Sequence, residues 1–465
     1  MRNTFFLLLF TTLFISSCSP SDSGDNNNNQ TGSSGVLDTH FGINGVSYVD
    51  FDNYQAIATA SAIQSDGKLI IAGTASTVAN NYDGNFALAR LNTNGTLDNS
   101  FSYDGKLLTP FSTASNIVHY AMCWCIGVLP DGKIIAAGES SSSTTSFTIA
   151  KYNSDGSLDN SFGSNGTMED QIETSSPVVT QNISSARSIY VQNDGKFILC
   201  GTSITHDVNN GNYLKLALVR YNSDGSHDNT FGINGKTFIT LNNNPAAFNI
   251  YGPEELDMKL INDSNKLTVI ITKNSTTDFN DIDSRNILRF NNDGSLDTSF
   301  GNGGRINSST GLINTINASI CKQLNGNYVT VGWNSSNNFC ALSYTTAGII
   351  SNDFGINGVF TTAFGSTNED KAFDAAVQSD GKIILCGTTT DQTYGTTDLV
   401  LCRIENNGNL DTTFGTAGKV KNHIDGTNQS EQNILLDTEG RIIVFTTIYG
   451  TAQIHNSFVI TRYLK

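Results

Sequence analysis

The stretch YNSDGSLDNSFGSNG, residues 152–166, recurs with substitutions seven times along the chain, and this recurrence constrains the fold more than any other feature. Its Phe stands at Phe41, Phe101, Phe162, Phe231, Phe300, Phe354 and Phe414. Four residues after each comes a glycine: Gly45, Gly105, Gly166, Gly235, Gly304, Gly358 and Gly418. Successive Phe lie 60, 61, 69, 69, 54 and 60 residues apart. Self-similarity at such a period signals stacked units that share one core, none able to bury its apolar face alone. Length alone, at 465 residues, would suggest about three domains, and the repeat overrides that expectation.

Residues 54–111 show the logic of one unit. YQAIATASAIQ (54–64) reads as a strand of small and mixed residues, Ser65-Asp66-Gly67 as a turn, and KLIIAGTAS (68–76) as a second, more apolar strand. NFALARLN (85–92) is a third strand, TNGTLD (93–98) turns the chain, and Gly105 to Phe111 is a fourth. Seven second strands and seven third strands can be counted, and charged residues are only 15% of the chain. The expectation is an all-β protein: a seven-bladed β-propeller of four-stranded antiparallel blades. The ends sharpen it. Residues 35–50 supply a turn and a fourth strand with no first three before them, and the last unit stops after its third, FVITRYLK. The N-terminal strand is therefore predicted to join the last blade and close the ring, leaving no open sheet edge.

A charge pair repeats with the units. A basic residue ends the third strand and an Asp follows eight positions later: Arg90/Asp98, Lys151/Asp159, Arg220/Asp228, Arg289/Asp297 and Arg403/Asp411. In the fifth unit both members change together, to Ser343 and Ser351. Arg462 has no downstream partner and Asp38 no upstream one, so these two are predicted to meet at the closure. As exposed pairs, each would contribute about 0.5 kcal/mol and chiefly set corner geometry.

The formal net charge of -16 repels phosphate backbones, which excludes nucleic acid as a partner class. Residues 1–17 read as an export signal, with Arg2 ahead of the short apolar run TFFLLLFTTLFI. Ile15-Ser16-Ser17-Cys18 resembles the lipobox of bacterial lipoproteins, which implies cleavage before Cys18 and its acylation. Residues 18–34 then form a polar, lipid-anchored, disordered tether, and residues 35–465 the propeller. The expected location is the bacterial cell envelope, in the outer membrane and open to surface display. The other cysteines, Cys123, Cys125, Cys200, Cys321, Cys340, Cys386 and Cys402, are odd in number and several stand where other units have Ala. They read as small buried hydrophobes.

The units resemble the delta-60 repeat family, whose pattern is matched by QSDGKLIIAG (64–73), FALARLNTNGTLDNSF (86–101) and VQSDGKIILCG (377–387). The resemblance spans nearly all of residues 35–465 and implies a propeller, with bacterial export for many members. It implies no agreed chemistry and supplies no catalytic residue.

Function is expected on the less regular connections. The first-to-second and third-to-fourth turns share one face and are explained by folding. The other connections share the opposite face and are longest around units two to four. Binding candidates there are His119, Tyr120, Trp124, His206, Tyr213, Tyr251, Glu254, Glu255 and Asp278. Asn153, Asp155 and Asp159 only partly resemble a calcium loop, and the six His show no ligand spacing. No G-x-S-x-G, P-loop or CxxC is present, and no cofactor or metal is implied. The expected function is a monomeric, non-catalytic binding module for a protein or glycan. The alternative is a surface enzyme acting on an extracellular polysaccharide, which would need a converging acid pair or metal cluster in the axial funnel.

Overall fold

A computed structural model describes residues 33–77, 80–111, 120–141, 145–173, 179–207, 211–242, 256–263, 265–273, 286–307, 315–365, 368–393, 395–424, 427–449 and 456–465. The signal, Cys18 and nearly all of the tether lie outside the described residues. The described chain is all β. It opens with β1 (Val46–Val49). The first repeat holds β2 (Tyr54–Ile63), β3 (Leu69–Thr77), β4 (Asn80–Leu91) and β5 (Lys106–Thr109). The second holds β6 (Tyr120–Val128), β7 (Ile134–Ser141), β8 (Thr145–Tyr152) and β9 (Thr167–Asp170). The third holds β10 (Val179–Val191), β11 (Phe197–Asp207), β12 (Gly211–Tyr221) and β13 (Lys236–Asn242). Next come β14 (Leu256–Asp263), β15 (Lys266–Lys273), β16 (Asn286–Asn291) and β17 (Arg305–Asn307). The fifth repeat holds β18 (Thr315–Lys322), β19 (Tyr328–Asn334), β20 (Phe339–Tyr344) and β21 (Val359–Thr362). The sixth holds β22 (Asn368–Val377), β23 (Ile383–Asp391), β24 (Thr397–Ile404) and β25 (Lys419–Asn422). The chain ends with β26 (Thr427–Leu436), β27 (Ile442–Tyr449) and β28 (Ser457–Tyr463). No helix of the described residues is long and apolar enough to cross a membrane.

The expectation of seven separate four-stranded blades is corrected. Five four-stranded sheets stand as blades: β2–β5, β14–β17, β18–β21, β22–β25, and β26–β28 with β1. The strands of the second and third repeats form one eight-stranded sheet instead. The cause is local. Ile183 of β10 makes a parallel bridge to Thr145 of β8, and Ser184 fastens it: its N–H donates to Thr145 Oγ1 at 3.0 Å and its Oγ donates to the Thr145 carbonyl at 3.4 Å. The propeller arrangement itself holds, because the innermost strands β2, β6, β10, β14, β18, β22 and β26 contact one another in that order and β26 returns to β2. Apolar clusters fill the space between consecutive repeats.

Head and tail meet within one sheet. β1 pairs antiparallel with β28, Val46 opposite Thr461 and Val49 opposite Phe458. The Asp38 N–H donates to the Arg462 carbonyl at 2.8 Å, and Arg462 Nη2 lies 2.8 Å from Asp38 Oδ2. The same pair occurs in the other repeats, at 2.7 Å for Arg90–Asp98 and Arg403–Asp411, 2.8 Å for Arg220–Asp228 and Arg289–Asp297, and 3.4 Å for Lys151–Asp159. These pairs are not the exposed ones expected. Arg462 and Asp38 side chains are 4% and 2% exposed, and the others are comparably buried. A buried pair differs from a surface one because removing a partner strands the remaining charge.

Each pair is the centre of a joint between repeats. The guanidinium lies over the motif Phe, with Arg90 4.7 Å from the Phe101 centroid and Arg289 4.4 Å from Phe300. It also reaches the next repeat's turn: Arg220 Nη1 donates to the Asn292 carbonyl at 2.8 Å, and Lys151 Nζ to that of Ser223 at 2.7 Å. The residue after the Phe makes a parallel bond, as in Gly232 N–H to Asp293 O at 2.7 Å and Gly42 N–H to Asn94 O at 2.8 Å. The turn Lys completes the site: Lys68 is 2.9 Å from Asp98, Lys133 2.8 Å from Asp159 and Lys382 2.7 Å from Asp411. In the fifth repeat this third member also turns neutral. Asn327 occupies the Lys position, and its Nδ2 lies 3.5 Å from Ser351 Oγ.

A second repeated constraint lies near the axis. β2, β6, β10, β18 and β22 each carry a bulge, at Thr59, Trp124, Arg187, Ala318 and Phe373. The bulge aims the carbonyl two residues earlier at the glycine of the second strand. A Cβ on Gly73 would sit 1.9 Å from the Ile57 oxygen, and one on Gly138 1.8 Å from that of Met122. The seven described cysteines are all free and buried. Burial pushes the thiols of Cys123, Cys321, Cys340 and Cys402 up to about 12, so they are inert.

Asp38→Ala leaves Arg462 buried without its carboxylate and is expected to cost about 3–5 kcal/mol in a denaturant titration; a loss below about 1 kcal/mol, the range of exposed pairs, would contradict the burial argument. Gly73→Ala is expected to lower the thermal midpoint more than Gly132→Ala. Gly132, at φ 84°, has no atom within 4 Å of an added Cβ and so meets only the left-handed backbone penalty of about 1–2 kcal/mol.

Candidate functional site

Side chains from the innermost strands make a girdle around the axis. On one side the Arg187 guanidinium of β10 lies 4.1 Å from the Trp124 ring of β6, and Trp124 Nε1 donates to Glu139 Oε1 of β7 at 3.3 Å. Trp124 is half-buried, whereas Arg187 and Glu139 are buried. On the other side Asp374 of β22 ties four innermost strands together. It accepts from Lys259 of β14, from Ser319 Oγ of β18 at 2.6 Å, from its neighbour Ala375 N–H at 2.9 Å, and from Ile434 N–H of β26 at 3.2 Å. Between these sides, Thr59 Oγ1 donates to the Cys123 carbonyl at 2.6 Å and Asn433 Nδ2 to the Thr59 carbonyl at 3.3 Å.

Two further acids stand toward the face of irregular connections. Glu173 follows β9 and accepts from Ser203 Oγ at 2.5 Å, from Thr205 Oγ1 at 2.6 Å and from Lys215 Nζ at 2.5 Å. Burial raises its carboxyl, but the bonds from Lys215, Ser203 and Thr205 outweigh burial and hold it below its ordinary value. Asp370, fully buried near the start of β22, accepts the Phe364 N–H at 2.7 Å. Burial pushes its carboxyl up, against weaker opposing contributions from Thr389, the Phe364 N–H and Lys419. No group of three or more His, Cys, Asp or Glu able to hold a metal occurs among the described residues. The turn considered for calcium is internally bonded, with Asp155 Oδ1 accepting from Ser157 N–H at 2.9 Å and from its Oγ at 2.6 Å.

Of the binding candidates, Tyr120 opens β6, is half-buried and donates its hydroxyl to Met122 Sδ. Tyr213, half-buried in β12, pairs with Thr205 of β11. His206 lies in β11 opposite Asn212. His119, Tyr251, Glu254, Glu255 and Asp278 lie outside the described residues. Tyr120 and Trp124 share one strand, while Tyr213 belongs to the next repeat. Arg187, Lys259, Asp374 and Glu173 did not emerge from the sequence. A signal existed for the bulges. The position five residues before the turn-opening Gln64, Leu129, Gln192, Gln323 and Gln378 holds Thr59, Trp124, Arg187, Ala318 and Phe373, widely varied in size.

The joint carboxylates carry the clearest electrostatic signature. In Asp98, burial pushes the carboxyl up, but hydrogen bonds from Lys68 and Ser100 and the charge of Arg90 outweigh it and hold it well below 3.8. In Asp159 the Lys133 hydrogen bond is the largest influence, and the carboxyl is again held far down. Asp228, Asp297 and Asp411 behave like Asp98, burial opposing the lysine and hydroxyl bonds that prevail.

Five segments of the chain, residues 64–101, 129–162, 192–231, 275–300 and 378–414, match the model of a domain of unknown function (DUF5122) described as a beta-propeller. Each match ends at a motif Phe. No curated protein matches the chain. Among solved structures, a protein of unknown function from Dyadobacter fermentans DSM 18053 is similar at 9% identity and a TM-score of 0.45, over 90% of this chain and 98% of that one. Polysaccharide lyase Uly1 is similar at 8% identity and a TM-score of 0.48, over 90% and 98%. An endo-arabinase from Bacteroides thetaiotaomicron VPI-5482 is similar at 12% identity and a TM-score of 0.33, over 60% and 93%. Likenesses this distant carry no argument about activity.

The depressed carboxyls set the acid response. Their native values lie below the unfolded one, so their contribution is complete above about pH 5 and is lost as pH falls from about 4 toward the native values. Unfolding midpoints are expected to be flat in this respect between about pH 5 and 7 and to drop steeply below about pH 4, with Asp98→Asn shallower there than the parent. An acid limb equally steep in the variant would contradict the assignment.

Proposed function

We propose that the protein is a lipid-anchored, extracytoplasmic β-propeller that acts as a non-catalytic binding module for a protein or glycan partner. The observation that supports this best is the engagement of the described acids. Asp374 is held by Lys259, Ser319 and two backbone N–H groups, Glu173 by Ser203, Thr205 and Lys215, and Asp370 is sealed from solvent. Acid–base cleavage of a polymer needs two carboxyl groups that a substrate can reach at defined separation. Binding needs only shape, aromatic faces and hydrogen bonds, which Tyr120 and Tyr213 offer near irregular connections, with Trp124 deeper in the axial girdle under Arg187. Anchorage and envelope location rest on the sequence around Cys18.

The test is a glycan and protein binding screen of the chain from residue 33 onward, compared with forms trimmed at 243–255 and 274–285 or carrying Tyr213→Ala. Trimming or substitution is expected to weaken the best ligand at least ~10-fold, within the 2 kcal/mol range of an aromatic anchor. Unchanged binding, or release of new chain ends from a polysaccharide by the purified protein, would overturn the reading. For the anchor, Cys18→Ser in the full chain is expected to abolish incorporation of labelled fatty acid and move the protein out of the membrane fraction; a variant that keeps both contradicts it.

A further inference from the structure

The face of regular corners carries an apolar pattern that folding does not use. The residue two past the motif Phe is Ile43, Tyr103, Ile233 and Ile356 in four of the repeats. Their exposures are 75%, 98%, 80% and 80%, so none contributes to a core. Identical position in the repeat puts the four tips at one height around the axis. They belong to the last, first, third and fifth repeats, and so are spread around the whole ring rather than gathered in one sector. Leu324 and Ile349, 67% and 66% exposed, stand in turns of the same face. Tyr103 is also held at φ 72°, a conformation that strains a bulky side chain.

Single exposed hydrophobics are ordinary, but a set fixed at one height by a repeat is not scattered. Apolar tips spread around a ring suit a flat occupant, because a compact partner would engage only one sector. The entry point of the chain favours the same occupant. Ser34 lies at a joint on this face, its carbonyl accepting from Gly415 N–H at 2.9 Å. The sixteen residues from Cys18 to Ser33 reach at most about 58 Å when fully extended. An anchor at Cys18 would therefore join the propeller at this face, within that reach of the bilayer.

We propose that the regular-corner face docks on a lipid surface, with Ile43, Tyr103, Ile233 and Ile356 dipping into its interfacial layer. The orientation rests on the proposed anchor at Cys18; the apolar tips do not. The same face exposes Asp66, Asp131, Asp194 and Asp380, so the surface it fits is zwitterionic, and anionic headgroups repel it. Docking this way turns the irregular connections outward, toward a partner.

The test uses the chain from residue 18 onward with Cys18→Ser, which cannot be acylated, and sedimentation with phosphatidylcholine vesicles. The parent is expected to co-sediment, and enrichment of the vesicles in phosphatidylglycerol to weaken it. The triple variant Ile43→Ser/Ile233→Ser/Ile356→Ser is expected to lose partition at least ~10-fold with an unchanged thermal midpoint, because the three side chains are exposed. A separate Ile356→Trp variant should shift its emission to the blue on adding vesicles. Failure of the parent to bind, equal binding by the triple variant, or a change in self-association in place of lipid binding overturns the proposal. Each of these outcomes is independent of the partner screen, which reads the opposite face.

Discussion

A buried cation held between its own Asp, its own Phe ring and the next repeat's turn is the interaction on which the rest of this propeller depends. Arg220 shows all its parts: 2.8 Å to Asp228, 4.8 Å to the Phe231 centroid, and 2.8 Å to the Asn292 carbonyl in the following repeat. No repeat completes this site alone, because the last acceptor lies in its neighbour. The chain must therefore run in a circle or leave one cation unsatisfied, and the Asp38–Arg462 junction provides the circle. Burying such pairs costs desolvation, so their worth lies in fixing which turn meets which corner as much as in net stability.

The joints account for residues that look decorative in the motif. The turn glycine packs on the preceding repeat's Phe, as Gly225 does on Phe162 and Gly408 on Phe354, where an added Cβ would lie 2.8 and 2.9 Å from the ring. The fifth repeat shows that the ionic centre can be exchanged as a set. Asn327, Ser343 and Ser351 are all neutral, and Ser343 Oγ turns to Gln323 Oε1 at 3.4 Å. Changing the cation or the Asp of the buried pair alone would have left a buried charge, which explains why Ser343 and Ser351 occur together.

Much of this was legible in the residues. The spacing of eight between Arg90 and Asp98 is a local signal, since the pair spans one turn, and the orphaned Asp38 and Arg462 point to each other by subtraction. The burial of the pairs was not legible, because it comes from the neighbouring repeat covering them. The fusion of the second and third repeats into one sheet was equally hidden. It rests on a single backbone bridge between Thr145 and Ile183, fixed by Ser184, and no periodicity encodes such proximity. At the candidate site, Trp124 and Tyr213 could be chosen from residue type and location. Arg187 and Lys259 could not, because their role depends on a bulge and on reach across strands.

The two faces divide the work. One repeats almost unchanged and holds the joints; the other carries the irregular connections. Closure of the ring is the premise of both, since an open ring would splay the faces and expose the β28 edge. Amide hydrogen exchange over residues 35–50 and 456–465 tests it most directly, because the Asp38, Arg462 and Leu464 N–H groups are bonded only across the head-to-tail seam. Both segments are expected to exchange as slowly as β27, opening only with global unfolding. Exchange of either segment at the rate of a frayed terminus, while β27 stays protected, would contradict it.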